Sequence, residues 1–256
     1  MNFHVKLANG FAAGVMPRVK LESGWREGEV LFVKTPDGWR EVWVRTVEFI
    51  NTVDRSGVSI FELMGSPTKR RHYTFINRAT INSGTAGFAL RTGVFPAGSR
   101  LTIINEGAIR GAGGSGAYPA AAAPGKGALL LEFPATLDNR AGLVFGGGGG
   151  GGWRYVSQTL YAGGGGGAGR PGGARGGMYQ NTTYTYTYPA AGTDDAGGIG
   201  GRYSAGYQGG AGGAPGEAGV SSSSVAGAGG YAIDRAGNAL TIIAGGESDR
   251  LKGVIV

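Results

Sequence analysis

The sequence predicts a mostly β protein with almost no α-helix: a small amino-terminal β attachment module followed by a sandwich of polyglycine II helices. Three observations lead there. Gly is 55 of 256 residues, about three times its usual ~7% share. It is concentrated, with 11 Gly in residues 1–106 and 40 in 107–230. Short β-branched and aromatic runs fill the first hundred residues, and no segment before residue 107 shows a 3.6-residue apolar period.

Composition divides the chain into an amino-terminal β module (1–72), a transitional β region (73–106) and a glycine-rich domain (107–256). In the first, Glu29–Lys34 and Glu41–Val47 read as strands, and Pro36-Asp37-Gly38 between them has turn chemistry. Gly24-Trp25-Arg26-Glu27 recurs as Gly38-Trp39-Arg40-Glu41, as two successive strand–turn units would. Trp25 and Trp39 read as core aromatics of this module, with a docking surface for a partner as the alternative. Trp25, Trp39 and Trp43 are the candidate attachment residues. In 73–106, Tyr73–Ile81 and Arg100–Ile104 read as strands split by tight Gly turns.

A second repeat opens the glycine region. Thr102-Ile-Ile-Asn-Glu-Gly-Ala-Ile-Arg-Gly-Ala-Gly-Gly114 resembles Thr136-Leu-Asp-Asn-Arg-Ala-Gly-Leu-Val-Phe-Gly-Gly-Gly148, with one extra residue in the second. Both pass from an apolar strand through an Asn turn to an apolar pair and a Gly run, so one structural unit is used twice.

The longest runs are Gly146–Gly152 and Gly163–Gly167. Gly-rich chains are ordinarily flexible linkers, because ordering Gly costs more backbone entropy than ordering any other residue. The alternative is bundled polyglycine II helices, with three residues per turn and a ~3.1 Å rise. Such helices bond only to neighbours, and only Gly lets the backbones approach closely enough. The spacers are apolar and aromatic, not the Ser, Glu and Lys of linkers. The chain also closes with apolar Ala239–Ala244 and Gly253–Val256, which should pair back onto the fold. The packed reading is therefore preferred, with Gly146, Gly149, Gly152, Gly163, Gly165 and Gly167 as scaffold.

The spacers are 118–124, 153–161, 178–189, 202–208 and 220–225. Nine of the 11 Tyr lie at 118 or between 155 and 207. Tyr and Trp among Ser, Gly and Asn form the chemistry of antibody-like loops, with large contact area and few rotors. In 183–188 Thr and Tyr alternate, so a strand there places Tyr184, Tyr186 and Tyr188 on one face. The candidate recognition residues are Trp153, Tyr155, Tyr161, Tyr179, Tyr184, Tyr186, Tyr188, Tyr203 and Tyr207. The competing reading is that these rings merely cover the scaffold's sides.

Catalytic and cofactor chemistry is missing. The chain has no Cys, and its two His, His4 and His72, are far apart, so no metal site or cofactor is expected. Asp194-Asp195 reads as a polar turn. Ala120–Gly127 lacks the first Gly and the final Ser/Thr of a phosphate loop. The start, MNFHVKLANG, has no signal-peptide pattern, and no apolar run nears the ~20 residues that span a bilayer, so a soluble, unexported chain is expected.

Polyglycine runs alternating with aromatic spacers resemble the glycine-rich distal tail-fibre adhesins of T-even-like bacteriophages, the receptor-binding proteins of the polyglycine II sandwich type. The resemblance covers 107–256, on the runs 146–152 and 163–167 and the spacers 153–161, 178–189 and 202–208. It implies a virion protein at the tail tip, synthesised in the host cytoplasm, whose distal loops bind a host outer-membrane protein or lipopolysaccharide. The amino-terminal part resembles short modules of other phage fibre and baseplate proteins instead, so a tail fibre or baseplate protein, or a homotrimer, is its expected partner.

Two other functions fit the sequence less well. An ice-binding face would repeat rows such as Thr183, Thr185 and Thr187, which occur once. A Gly/Arg nucleic-acid binder would repeat Arg175-Gly176-Gly177, also single, and despite a net charge of +7 no nucleic acid is expected.

Overall fold

The computed structural model describes residues 18–21, 24–157, 160–179, 185–203 and 206–256. The chain forms two compact units, Met1–Val47 and Glu48–Val256. The boundaries read from composition at 72/73 and 106/107 both fall inside the second unit.

In the first unit, β1 (Arg18–Leu21) pairs antiparallel with β2 (Gly24–Glu27), and β3 (Val30–Thr35) with β4 (Gly38–Val44). The two Gly-Trp-Arg-Glu copies form β2 and the start of β4. Gly38 has φ +121°, which is why Gly follows Pro36-Asp37 at this turn. Trp39 is 70% exposed, so it is not a core aromatic. It sits one residue past the turn, opposite Lys34 at the hairpin tip. Trp43 is half-buried on β4, and Trp25 lies on β2.

The second unit is built on a solenoid of three sheets. Its strands are β5 (Thr46–Asn51), β6 (Arg55–Ser56), β7 (Val58–Ser59), β8 (His72–Asn77), β9 (Thr80–Asn82), β10 (Phe88–Arg91), β11 (Arg100–Asn105), β12 (Ala108–Arg110), β13 (Gly127–Leu130), β14 (Ala135–Asp138), β15 (Leu143–Phe145), β16 (Arg154–Ser157), β17 (Leu160–Ala162), β18 (Tyr186–Thr187), β19 (Arg202–Tyr203), β20 (Ile233–Asp234), β21 (Leu240–Ala244) and β22 (Leu251–Lys252). The one helix among the described residues is α1 (Ile60–Leu63).

One sheet runs β5-β8-β11-β14-β21, the next β6-β9-β12-β15-β22, and the third β7-β10-β13-β20. Each coil of chain therefore contributes one strand to each sheet in turn, as in repeat proteins whose units bury their apolar face only against a neighbour. From β8 onward the ladders are parallel, and the register stacks like on like. Phe75, Ile103 and Leu137 form one buried column, Ile81, Ile109 and Val144 a second, and Leu90, Leu129 and Ile233 a third. The repeat seen in the sequence is two such coils: Thr102 pairs with Thr136, and Ile109 with Val144. The carboxy-terminal segments pair back as expected, Ala239–Ala244 through β21 onto β14, and Gly253–Val256 through Ile255, which bridges Ile233 of β20.

An asparagine ladder runs along one corner. Asn51 Nδ2 donates to Asn77 Oδ1 (2.9 Å), Asn77 Nδ2 to Asn105 Oδ1 (2.9 Å), and Asn105 Nδ2 to Asn139 Oδ1 (2.8 Å). Asn139 Nδ2 closes it on the Gly245 carbonyl at 3.0 Å. All four Asn are buried, so each amide needs these partners.

The glycine helices leave the solenoid at the corner between the second and third sheets, after β12 and again after β15. Their hydrogen bonds report the three-residue turn directly. In 146–152, the N–H groups of Gly147 and Gly150 donate to Lys126 and Ala123, those of Gly148 and Gly151 to Ala168 and Gly165, and those of Gly149 and Gly152 to Glu217 and Val220. The carbonyls accept in the same rhythm: Gly147 and Gly150 from 230 and 227, Gly148 and Gly151 from 114 and 117, Gly149 and Gly152 from 213 and 210. One helix thus bonds to six neighbours. Run 163–169 does the same, with 111–117, 146–152, 171–177, 189–193, 196–201 and 208–214 around it.

That packing excludes side chains. A Cβ would lie 2.1 Å from a backbone oxygen at Gly146, 1.9 Å at Gly149, 2.2 Å at Gly152, 1.9 Å at Gly163, 1.9 Å at Gly165 and 2.0 Å at Gly167. The peripheral helix 196–202 carries its other residues on one outward face: Ala196, Ile199 and Arg202 are exposed, and the Gly between them are mostly buried.

Candidate functional site

Gly146 follows β15 directly, so Gly152 marks the far end of its helix. Among the described residues, 118–122, 153–157, 160–162, 178–179, 185–188, 202–203, 206–207 and 221–225 lie at that end. Loops distant in sequence therefore form one distal face.

Aromatic rings knit it together. Tyr118 stacks on Tyr161 at 4.7 Å between centroids, and Trp153 and Tyr155 meet the same ring edge-on at 5.3 and 5.7 Å. The hairpin of β16 and β17 holds Tyr155 opposite Tyr161. Tyr186 on β18 pairs with Tyr203 on β19, and Tyr188 meets Tyr186 edge-on at 5.4 Å. Leu160, Ala162 and Tyr203 form a small buried core, with Val156, Met178 and Tyr186 packed on it. The serine loop is a tie: Ser223 Oγ accepts from the Tyr155 N–H (3.0 Å) and Ser224 Oγ from the Trp153 N–H (2.9 Å).

The candidate residues divide by exposure. Tyr155, Tyr179, Tyr188 and Tyr207 are exposed, with Tyr179 at 50%, and Trp153, Tyr161 and Tyr186 are half-buried. Tyr203 is only 1% exposed. Its hydroxyl donates to the Tyr179 carbonyl and also lies near that of Tyr161, so it supports the face from beneath. Tyr184 lies outside the described residues. Tyr118, stacked on the central Tyr161 ring of the first cluster, reads in the sequence only as part of a spacer, because a lone Tyr between Ala and Pro gives no periodic signal.

Burial holds the Tyr203 phenol above the ordinary tyrosine range, helped by the neighbouring Tyr118, Tyr186 and Tyr188. A raised phenol favours the folded state while it is protonated. That stability is complete below the unfolded value of ~10 and is lost as pH rises through the higher folded value. The hydrogen bond with Tyr188 raises Tyr186 as well, so tyrosinate absorbance should show late-titrating groups, with one fewer in Tyr203→Phe. Ionisation of all tyrosines at the ordinary pH would refute the burial argument.

At the opposite, solenoid end, Arg110 Nη1 binds Asp195 Oδ1 at 2.7 Å and the Asp194 carbonyl at 2.9 Å. Arg170 pairs with Asp194 at 3.4 Å and Asp54 at 3.7 Å. Asp194-Asp195 is thus a polar turn that ties a glycine helix to the solenoid, as its adjacency suggested.

A profile described as "Phage tail fibre adhesin Gp38" matches residues 50–255, most of the chain and nearly all of the second unit. The chain belongs to this family of phage tail fibre adhesins. It is accordingly a receptor-binding protein of the phage tail. The gp37-gp38 adhesin tip complex of the bacteriophage S16 long tail fibre is similar in fold, at TM-score 0.59 and 24% identity over 83% of each chain. A search of curated proteins finds no match. In this adhesin the glycine helices join the solenoid at one end and the aromatic loops at the other.

Proposed function

We propose that the distal face is the receptor-contact surface, binding a host outer-membrane protein or lipopolysaccharide without turnover. The observation that carries this is the convergence of four aromatic loops, tied by a serine loop, at one end of a scaffold with almost no tolerance for side chains. Binding sites need rigid support, and rings locked by packing lose little entropy when they engage. Tyr155, Tyr179, Tyr188 and Tyr207 are the anchors, with Trp153, Tyr161 and Tyr186 beside them and Tyr203 beneath. Several copies on one particle would multiply a modest single-site affinity.

The amino-terminal unit, with Trp25, Trp39 and Trp43, mounts the chain on a tail fibre or baseplate protein. The exposed Trp39 supports this, and so does the similar structure, in which gp38 is complexed with gp37.

The test is adsorption of purified protein to a susceptible host. Tyr179→Ala is expected to weaken it by about 30-fold, the effect of a hot-spot truncation. Exchanging 178–189 for the matching loop of a related adhesin should redirect binding with an unchanged melting curve. Undiminished binding to the original host after both changes would refute the distal-face reading.

A further inference from the structure

The distal face carries a charge bias that receptor binding alone does not require. The stretches that build the glycine domain, 107–131, 139–193, 196–216 and 218–233, contain no Asp or Glu. They place Arg154, Arg175 and Arg202, all exposed, at the distal end. Elsewhere in the second unit Arg110, Arg140 and Arg170 each pair with a carboxylate. Among the described residues no carboxylate meets the three distal arginines.

Two of the three belong to one patch. The Arg175 guanidinium lies over the Tyr188 ring, 5.0 Å from its centroid. Arg202 is the cross-strand partner of Thr187, the residue before Tyr188. Resting on a ring holds a guanidinium in place and leaves its N–H edge free. That planar fork matches a carboxylate with two parallel hydrogen bonds. Among the described residues no carboxylate on the face competes for it.

We propose that Arg175 and Arg202, set around Tyr188, are the anion-reading element of the receptor site, and that the group they read is an acidic polypeptide loop. This rests on the distal face being the receptor site. A neutral sugar is a poor fit, because its hydroxyl donors would find no carboxylate acceptor here. Tyr, Trp and Arg among Ser, Thr and Gly are the residues that dominate binding to proteins. A cationic patch also steers an acidic partner from a distance and does so less in salt.

The test uses labelled full-length protein and a Gram-negative strain to which it adheres. Arg175→Gln and Arg202→Gln should each weaken adhesion by roughly 30-fold, and the double variant should lose most of its salt dependence. Arg100→Gln, exposed on β11, should do neither. Poly-L-glutamate should compete with the wild type, and purified lipopolysaccharide of the same strain should not. Competition by lipopolysaccharide alone would replace the acidic loop with a phosphate-bearing glycan and overturn the assignment. Wild-type adhesion by the double Arg variant, alongside loss in a Tyr155→Ala, Tyr179→Ala, Tyr207→Ala triple variant, would refute the anion pair and leave the distal face standing. Wild-type adhesion by both would remove the distal face itself, and the anion pair with it.

Discussion

Gly150→Ala is expected to unfold the glycine bundle well below the melting temperature of the wild type. The added methyl would sit 1.9 Å from the Ser115 carbonyl oxygen, a distance no side-chain rotation relieves. The obstacle cannot move alone. Ser115 O accepts from the Ala123 N–H at 2.9 Å, and Ala123 O accepts from the Gly150 N–H at 3.0 Å, so shifting Ser115 disturbs the bond that holds Gly150. Replacing Gly by Ala gains about 0.4–1 kcal/mol from the unfolded chain. Overpacking costs about 1–3 kcal/mol, and displaced backbone bonds add about 1–3 kcal/mol for each group left unsatisfied. The clash wins, by about 3 kcal/mol or more once two groups are disturbed. At about 2–4 °C per kcal/mol for a unit of this size, the transition should fall by roughly 10 °C. Ile199→Ala, which trims an outward side chain on a peripheral helix, is the control and should stay within about 0.5 kcal/mol. Circular dichroism melting of both variants decides. Equal transitions would mean that the helices are not packed as described.

The same geometry explains what could be read from the sequence. Polyglycine is ambiguous between linker and bundle, and the ambiguity is resolved by what lies between the runs. Apolar spacers need a surface to bury against, and the apolar carboxy terminus needs a sheet to join. Both are met, by the core around Leu160 and Tyr203 and by the edges of β14 and β20. The coil repeat was visible where two long copies align, at 102–114 and 136–148. It was missed at 73–82, although Asn77 precedes Ile81 by the same four residues that separate Asn105 from Ile109. Four residues are too short a signature to stand out.

The solenoid itself was hidden for a different reason. Its third sheet takes β13 only after the excursion 111–126, and β20 only after 146–232. A coil interrupted by insertions has no fixed sequence period, so composition drew its boundaries where glycine begins and not where the fold does. Tyrosine pointed correctly to the distal loops, but composition could not rank its members. Tyr203 is buried and Tyr207 exposed, four residues apart on the same loop, because one faces the core under β18 and the other does not. The distal arginines were equally legible as sequence. What the sequence alone does not show is that, among the described residues, no carboxylate meets them at their end of the bundle.

Asn105→Ala is expected to destabilise the solenoid nearly as much. The amide donates to Asn139 Oδ1 at 2.8 Å and to the Leu143 carbonyl at 3.1 Å, and it accepts from Asn77 Nδ2 at 2.9 Å. Asn105 is 1% exposed, so water does not replace these bonds. Truncation strips partners from both neighbouring coils at once, at about 1–3 kcal/mol for each buried group left without one, or about 3–5 kcal/mol in all. Asn105→Asp separates shape from hydrogen bonding. Its size is preserved, yet a carboxylate has no proton to donate, so it opposes Asn139 Oδ1 acceptor to acceptor and buries a charge as well. It should therefore be at least as damaging as Ala. Were the site merely a matter of filled volume, the order would reverse and Asp would be the milder change. Thr102→Ala, half-buried on the same strand, should cost under about 1 kcal/mol. Urea unfolding midpoints rank the three variants, and an unchanged m-value would place the effect in the native state. An Asn105→Ala midpoint matching that of Thr102→Ala would show that the coils are held by their apolar columns alone.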